Sequence, residues 1–575
     1  MPTQTKSANT INYAQELLKT QTKTLLKKHN INAPIETPPE NIDADLAMPT
    51  FALAKTLKKP PHIIAQDLQN SINPPKNTLI KQIKAQGPYL NFYKDNEKYT
   101  GIVLKNITSA KQNYGKKPEK KQKVMIEYSQ ANTHKAFHVG HIRGTSLGES
   151  LARTMKHEGY HVTQANYQGD TGAHVAKWLW CYLKFHKNET PPKKQSEKWI
   201  ASIYVESVKK TTKENQKEID KINSDLENNT DPNLTALWKK TREWSLKSLQ
   251  DIYKDLDAHF DHYFFERQME TRAKEIVKDL LKSGIAKIDQ DATIIDLRKY
   301  NLGIWVLLRK DGTCLYSAKD IALAEKKFKK YNIDKSIYII GAAQSLHAQQ
   351  LFKTLELMNF KNAKNCHHLS FAEVRLPTGK MSSRTGENIL YTDMLEELLA
   401  YAKQEVTKRH PGWTQEEKDT SAKNITICAL KFSMLNQSPN KLITFSPKEA
   451  LNFEGDTGPY IQYTHARAHS ILRQATFSPG SFNPALLKEK EELDLIKKLS
   501  QFPEAVTKTC EQYDPNQLTS YLLELSHDFN TFYHKHPVLK AQKELSTARL
   551  TLVQSTMQVL NNGLYLLAIT APKQM

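Results

Sequence analysis

Residues Lys123–His141 read KVMIEYSQANTHKAFHVGH. The opening KVMIEY is a short apolar run rich in β-forming residues, which predicts a strand. From Ile142 onward, apolar residues recur four apart at Leu147, Leu151 and Met155, which predicts an amphipathic helix. The stretch therefore indicates a strand that leads through a turn into a helix.

Two histidines, His138 and His141, fall at this predicted turn, with Gly140 between them. The glycine lets the backbone approach a ligand closely, and the free N–H groups of a helix start favour phosphate. Imidazoles three residues apart can both face such a ligand. The pattern predicts a nucleotide site whose donors point at the α-phosphate of ATP. Two surface histidines flanking a turn glycine would look the same, so this element alone does not decide the function.

A second element, KMSSR, occupies Lys380–Arg384, and glycines lie on both sides of it. Its cations and hydroxyls suit a loop that closes over a pyrophosphate, although a solvated basic loop could have the same residues. HxGH followed by KMSSR in one chain resembles the paired motifs of class I aminoacyl-tRNA synthetases. The resemblance predicts ATP binding by a set of seven residues. They are His138, Gly140, His141, Lys380, Met381, Ser382 and Ser383.

Between these elements, strands alternate with helices. Lys335–Ile340 (KSIYII) reads as a strand, and Ile321–Tyr331 and Leu346–Leu357 read as helices. This alternation predicts an α/β catalytic domain with a doubly wound parallel sheet of the Rossmann type. The Lys/Glu/Asn-rich segment at about 191–243 is expected to form solvated helices outside the sheet.

The two ends of the chain differ from the middle. Residues 1–115 predict an α+β appended domain, with helical patterns at Ala44–Leu57 and Ile63–Ile72 and a strand at Tyr89–Tyr93. A dimerisation or packing module remains an alternative for this region. Residues 456–575 predict an all-α bundle, because apolar residues follow helical spacing along two stripes that should be core. These are Leu518, Tyr521, Leu522, Leu525, Phe529 and Phe532, and Leu550, Val553, Met557, Leu560, Leu564 and Leu567. Residues 116–455 remain for the catalytic domain.

Composition restricts the class of protein. Among 575 residues, 82 Lys and Arg exceed 61 Asp and Glu by 21, which suggests a polyanionic partner, although a generally lysine-rich proteome would give the same excess. Five scattered cysteines without CxxC spacing argue against a disulfide framework and against a zinc site. No dedicated metal site is expected, including at Cys366–His368, where strand neighbours point to opposite faces. The cysteine pattern indicates a reducing cytoplasm, and no apolar run reaches the length of a membrane span, so a cytoplasmic protein is expected.

Four stretches resemble arginyl-tRNA synthetases, and the resemblance extends over most of the chain. They are Glu127–His141, Asn166–His174 (NYQGDTGAH), Tyr316–Asp320 (YSAKD) and Phe453–Arg467 (FEGDTGPYIQYTHAR). The resemblance implies a monomeric arginine–tRNA ligase that uses ATP with Mg²⁺, L-arginine and tRNA(Arg). It also implies that the N-terminal domain touches the outer elbow of the tRNA and that the C-terminal domain binds the anticodon.

The resemblance also implies an arginine pocket. Selecting a guanidinium requires planar acceptors that bind its N–H groups in pairs. Glu266, Tyr316 and Asp320 would take the side-chain end, Glu127 and Asn132 the α-amino and carboxylate end, and Gln344 would line the pocket. A Tyr and an Asp four apart at a helix start can equally be a cap plus packing.

Asn530, Tyr533 and Arg549 are candidates for contact with tRNA bases. Each residue type also occurs as a cap, a core aromatic or a surface ion-pair partner. The sequence leaves these alternatives open.

The chain departs from the family pattern at two places. Ser383 stands where the generic loop has a second lysine, and Lys135, just before HxGH, is expected to substitute for it as a catalytic cation. Gln130-Ala131 replaces the usual Ser-Pro before Asn132, which affects the rigidity of the turn more than the chemistry.

A catalytically silent paralogue that binds tRNA or senses arginine is the main alternative, but such proteins tend to lose the phosphate donors.

Overall fold

The structure is a computed structural model, and it describes residues 13–38, 42, 44–375, 377, 390–475 and 482–575. Four of the predicted ATP-binding residues, Lys380, Met381, Ser382 and Ser383, lie outside the described residues.

The N-terminal region is a small α+β unit. Its elements are α1 (Ala14–Lys28), β1 (Leu46–Pro49), α2 (Phe51–Leu57), α3 (Pro61–Ser71), β2 (Ile80–Gln86), β3 (Tyr89–Lys94) and α4 (Asn96–Ala110). The three strands form an antiparallel sheet in the order β1-β3-β2. The predicted strand at Tyr89–Tyr93 is confirmed as part of β3.

The predicted helix at Ala44–Leu57 is wrong over its first half. Leu46, Ala47 and Met48 form strand β1, which pairs with β3, and only Phe51–Leu57 is helical. A short apolar run carries no period that separates strand from helix, and pairing with a distant strand decided the conformation. Ile63–Ile72 is helical as expected, except for its last residue.

The middle of the chain alternates strands and helices. Its elements are β4 (Lys123–Glu127), α5 (Val139–His157), β5 (His161–Gln168), α6 (Ala173–Phe185), α7 (Ser196–Lys210), α8 (Gln216–Asn228), α9 (Pro232–Asp255), β6 (His262–Phe265), α10 (Glu270–Lys282), β7 (Lys287–Asp289), β8 (Ala292–Asp296), β9 (Ile304–Leu308), α11 (Tyr316–Tyr331), β10 (Lys335–Gly341), α12 (Ser345–Leu357), β11 (Cys366–Phe371), β12 (Val374–Arg375), α13 (Tyr391–Arg409), α14 (Gln415–Leu435), β13 (Ile443–Thr444) and α15 (Pro447–Ala450).

The main sheet is parallel throughout, in the order β11-β10-β4-β5-β6. β4 lies in its centre, and its apolar residues Val124, Met125 and Ile126 are fully buried. This burial explains the continuous apolar run, because a parallel sheet is covered on both faces. The chain crosses from one side of β4 to the other between β6 and β10, so β4 and β10 flank the point where the strand order reverses. Ligands bind outside the carboxyl ends of the strands at such a point.

The segment at about 191–243 is helical, as expected, but it is not merely solvated. Ile200 and Ile203 of α7, Leu226 of α8 and Trp238 of α9 pack against Trp178 of α6 in a core of their own. The helices therefore form a packed layer beside the sheet.

The C-terminal region is helical, with α16 (Gly458–Gln474), α17 (Lys490–Ser500), α18 (Phe502–Gln512), α19 (Asn516–Lys535) and α20 (Lys543–Leu566). Both predicted apolar stripes lie in the core, where Met557 is partly buried and the others are buried. The helices also contact the N-terminal part of the chain, because Tyr99 donates a hydrogen bond to Ser500 and Tyr114 donates one to the Leu499 carbonyl. Among the described residues, no helix is long and apolar enough to cross a membrane.

Candidate active site at the start of α5

The HxGH motif forms the cap of helix α5. His138 is the N-cap residue, and its Nδ1 accepts a hydrogen bond of 3.2 Å from the Gly140 N–H. The Nδ1 of His141 in turn accepts a hydrogen bond of 3.2 Å from the His138 N–H. A Cβ at position 140 would lie 3.1 Å from the His138 ring, so glycine leaves room for this ring. The two imidazoles thus complete the helix start and lie 3.9 Å apart between ring centroids.

These contacts fix the tautomer of both rings. A backbone N–H can only donate, so each Nδ1 must be unprotonated, and the proton of each neutral imidazole is on Nε2. Burial, with help from Lys135, lowers the pKa of His138 to about 4 and holds the pKa of His141 well below its usual value. Both rings are therefore neutral near pH 7 and present an Nε2–H donor beside the positive end of the helix dipole. This arrangement suits binding of a phosphate oxygen.

A pH dependence of stability follows from the lowered pKa of His138. The unfolded chain takes up a proton at His138 near pH 6.5, whereas the folded chain does so only near pH 4. The contribution of neutral His138 to stability is therefore complete above about pH 6.5 and is lost as the pH falls towards about 4.

As the pH is lowered through this window, we expect the midpoint temperature of thermal unfolding to fall. It should fall less steeply in a His138→Asn variant. Carboxylates and other buried histidines titrate in both proteins, so thermal unfolding measured across the pH series should compare the two slopes. Equal slopes would contradict the assigned shift.

The chain beyond the KMSSR motif returns to this cap. Leu390 forms an antiparallel bridge with His138, and the Tyr391 N–H donates to the Phe137 carbonyl at 2.9 Å. Arg143 of α5 is buried and donates to the Ala372 carbonyl at 2.7 Å, which ties the helix to the segment before the motif. The described residues on both sides of KMSSR are thus anchored to α5.

Next to the cap, a cavity of about 790 Å³ opens between the carboxyl ends of β4 and β10. All six residues predicted to bind arginine line it, together with Lys135. They are Glu127, Asn132, Glu266, Tyr316, Asp320 and Gln344. The structure thus brings together residues from four separate parts of the chain. The cavity wall also holds polar atoms that lack a protein partner, among them Tyr167 Oη and His174 Nε2, as expected of a site for a polar ligand.

Glu127 stands at the end of β4 and is buried. The Nζ of Lys327 from α11, itself fully buried, lies 2.6 Å from its carboxylate, and Gln130 donates to the same group at 3.1 Å. Gln130, which replaces the family's serine, has a φ of +53° and so turns the chain by a left-handed backbone conformation. The carboxylate is therefore held in place and charge-compensated from within the protein.

Asn132 and Glu266 meet over Gly169. Asn132 Oδ1 accepts a hydrogen bond from the Gly169 N–H at 3.1 Å, and a Cβ at position 169 would lie within 2.9 Å of both side chains. Burial raises the pKa of Glu266, and Lys319 opposes this with its Nζ 3.3 Å from the carboxylate. A glycine is needed here because the two side chains occupy the space of a Cβ.

Asp320 and Tyr316 lie on the first turns of α11 and share the neighbour His347. The His347 Nε2 lies 2.6 Å from the Asp320 carboxylate, and its ring centroid lies 4.8 Å from that of Tyr316. Tyr316 remains 56% exposed, so it is free to contact a ligand.

Sequence reasoning missed the basic partners of these acids. Lys319, Lys327 and His347 are not among the residues predicted from sequence. The one available signal was that Lys319 and Lys327 fall on the apolar side of α11, where an unpaired lysine would be costly.

Comparison with known proteins places the chain in a family. Residues 103–445 match the family of class I (R) tRNA synthetases, catalytic domain. An arginine–tRNA ligase of Bdellovibrio bacteriovorus is 35% identical over 94% of this chain and 93% of its own length. The chain belongs to the arginyl-tRNA synthetase family. Residues 12–93 match the arginyl-tRNA synthetase N-terminal domain, and residues 461–575 match the DALR anticodon-binding domain.

Other members of the family also match this chain over nearly its whole length. An arginine–tRNA ligase of Clostridium beijerinckii is 34% identical over 96% of this chain and 98% of its own length. The Thermus thermophilus arginyl-tRNA synthetase structure superposes with a TM-score of 0.81 at 28% identity, covering 98% of this chain and 100% of that one. The predicted family and fold class are thereby confirmed.

In this synthetase, two of the residues predicted to contact tRNA lie close together. Asn530 is buried, accepts a hydrogen bond of 2.6 Å from Arg467 and donates to Tyr460 at 2.9 Å, so it joins α19 to α16 and is not available to a base. The Arg467 guanidinium lies 5.7 Å from the ring of Tyr533, which is 37% exposed. Arg467 and Tyr533 therefore offer a cation and an aromatic face at one surface.

The structure corrects the third candidate, Arg549. It is 5% exposed, its Nε lies 2.8 Å from the buried Glu492, and it donates to the Pro537 carbonyl. Its place beside the apolar Leu550 of α20 explains this burial. Arg549 holds the helices together and is not available to a base.

One group of side chains in the described residues has the composition of a metal site. Cys181, His186 and Glu206 bring their ligand atoms within 4.8 Å of one another. Both His186 nitrogens already have carboxylate neighbours, Glu189 and Glu206, and burial raises the pKa of the Cys181 thiol to about 11. These hydrogen bonds within the protein account for the cluster.

Proposed function

We propose that this chain is an arginine–tRNA ligase, which forms arginyl-adenylate from L-arginine and ATP and then transfers arginine to the 3′ terminal adenosine of tRNA(Arg). One observation carries the proposal. Two neutral Nε2–H donors at the start of α5 adjoin a cavity with an acidic wall, in a chain whose relatives are arginine–tRNA ligases.

In the first step, an arginine carboxylate oxygen attacks the α-phosphorus in line, and the bond to pyrophosphate breaks. Such a reaction depends on positioning and on stabilisation of charge as it develops. His138 and His141 donate to the α-phosphate from Nε2. Lys135 and Lys380 supply positive charge to the phosphates and to the departing pyrophosphate. Gly140 and the remaining predicted residues of the KMSSR motif complete the ATP site.

Mg²⁺ enters this proposal as part of ATP. The groups around the cap are N–H donors and an ammonium, which bind phosphate oxygens and repel a cation, so these residues do not form a metal site. When bound, the ion neutralises charge on the phosphates.

The six predicted arginine-binding residues divide the cavity between the two ends of the amino acid. Glu127 and Asn132 hold the α-amino and carboxylate end, beside Lys135 and the cap. Glu266, Tyr316 and Asp320 take the guanidinium, and Gln344 lines the wall. An amino acid without a guanidinium leaves the carboxylates at that end unpaired, and this weakens its binding.

In the second step, the 2′-hydroxyl of the terminal adenosine attacks the adenylate and AMP leaves. The excess of 21 positive charges supports a tRNA partner, because Lys and Arg neutralise phosphates. Residues 1–115 form the tRNA-elbow domain, 116–455 the catalytic domain and 456–575 the anticodon-binding domain, which offers Tyr533 to a base. The enzyme acts as a cytoplasmic monomer.

Arginine-dependent exchange of pyrophosphate into ATP tests this function, with lysine as the control amino acid. The purified chain is assayed with and without tRNA(Arg). Exchange with arginine but not lysine is expected, and charging of tRNA(Arg) should follow. Exchange only with tRNA would mean that RNA completes the site, whereas exchange without it would mean that the cap is already competent. No arginine-dependent reaction in either case would favour the silent paralogue.

A further inference from the structure

The helix α8 belongs to the charged segment at about 191–243, yet it forms part of the cavity wall. Asn223 and Glu227, one turn apart on α8, both line the cavity. Asn223 Nδ2 lies 3.3 Å from Glu227 Oε1, and Thr313 donates to Glu227 Oε2 at 3.4 Å. The Asn223 Oδ1 is buried and has no hydrogen-bond partner. An orphaned acceptor beside a carboxylate is what a ligand with several N–H groups would satisfy.

Glu227 and Asp320 differ from the other two carboxylates that line the cavity. Glu127 faces Lys327 and Glu266 faces Lys319, whereas the neighbour of Asp320 is His347, whose Nδ1 accepts a hydrogen bond from the Trp305 indole N–H. Across the described part of the chain, Glu227 has no basic side chain within ion-pair distance. Burial, with Glu270 second, raises the pKa of its carboxyl. A cation entering the cavity therefore gains most from Glu227 and Asp320, the two lining carboxylates that have no lysine or arginine partner among the described residues.

The position of Glu227 indicates which end of arginine it meets. Its partner Thr313 lies three residues before Tyr316, which begins α11. Among the cations, Lys319 acts most strongly on the Glu227 carboxyl and lowers its pKa. This is the side-chain end of the cavity. A carboxylate and an adjacent amide oxygen match the planar fork of a guanidinium.

We infer that Glu227, supported by Asn223, is a specificity-determining residue that binds the guanidinium of arginine. The inference rests on the proposed function. It gives the segment at about 191–243 a direct role in substrate selection, in addition to its packing.

The test compares Glu227→Gln with Glu218→Gln. Glu218 lies on the opposite face of α8, where it pairs with Lys184 at the surface. With tRNA(Arg) present, Glu227→Gln should raise KM for arginine about 10- to 100-fold and leave KM for ATP within about twofold. Glu218→Gln should match the wild type, because surface pairs contribute little.

Citrulline separates recognition of charge from structural damage, since its ureido group is neutral but has nearly the shape of a guanidinium. Its inhibition constant should hardly change in Glu227→Gln. An arginine KM within about twofold of the wild type, or equal weakening of arginine and citrulline, would overturn the inference. Asn223→Ala provides a second readout should Glu227→Gln not fold. It should raise the arginine KM several-fold, and a wild-type value would overturn the inference. A wild type without arginine-dependent activity would instead refute the proposed function.

Discussion

Replacing His138 with asparagine is expected to slow adenylate formation about 100- to 1000-fold, the usual cost of removing one preorganised donor to a developing charge. Asparagine is a good N-cap residue, and its side-chain oxygen can replace Nδ1 as acceptor of the Gly140 N–H. The variant therefore keeps the helix cap and loses only the Nε2–H donor. Single-turnover formation of arginyl-adenylate, beside thermal unfolding near pH 7, measures both effects.

The matched variant is His138→Gln. The longer amide places an N–H donor near the position of Nε2, but it no longer reaches the Gly140 N–H as closely. We expect it to retain more activity than His138→Asn and to be the less stable of the two by about 1 kcal/mol, the usual size of a lost cap. The opposite order of activities would show that His138 acts through the cap and not through Nε2.

The place of the two histidines at a helix start could be predicted from sequence because the pattern is local. A strand, a glycine and two histidines three residues apart lie within one stretch of chain, and helix geometry fixes how they meet. The sheet was predictable for a similar reason, since alternating strand and helix patterns leave few ways to form a parallel sheet.

Pairing between distant segments was not predictable in this way. Lys327 and Glu127 are two hundred residues apart, and the residues next to each of them in sequence do not indicate that the two side chains pair. The helical pattern of α8 was visible, but periodicity does not say what a helix packs against, so Glu227 went unnoticed. The acids of the arginine pocket came from family resemblance. Their partners Lys319 and His347 came only from the structure.

Replacing Asp320 with asparagine is expected to raise KM for arginine about 30- to 1000-fold. The change removes the charge that faces a desolvated guanidinium, and losing one partner of a buried charged contact costs about 2–4 kcal/mol. The amide keeps the size of the side chain and can still accept from His347 Nε2, so the ring should stay in place. KM for ATP should change little, because the phosphates lie at the other end of the cavity. Steady-state aminoacylation with each substrate varied in turn gives both constants.

The control is Glu325→Gln on the same helix. Glu325 lies on the outer side of α11, where Arg272 and Lys329 pair with it, and it does not line the cavity. Its loss should leave both KM values within about twofold of the wild type. If Asp320→Asn behaved like Glu325→Gln, Asp320 would be a cap and packing residue bound to His347. Recognition of the guanidinium would then fall to Glu266 and Glu227. If both variants weakened arginine binding equally, α11 would act through its stability, and the assignment of Asp320 as a ligand would be wrong.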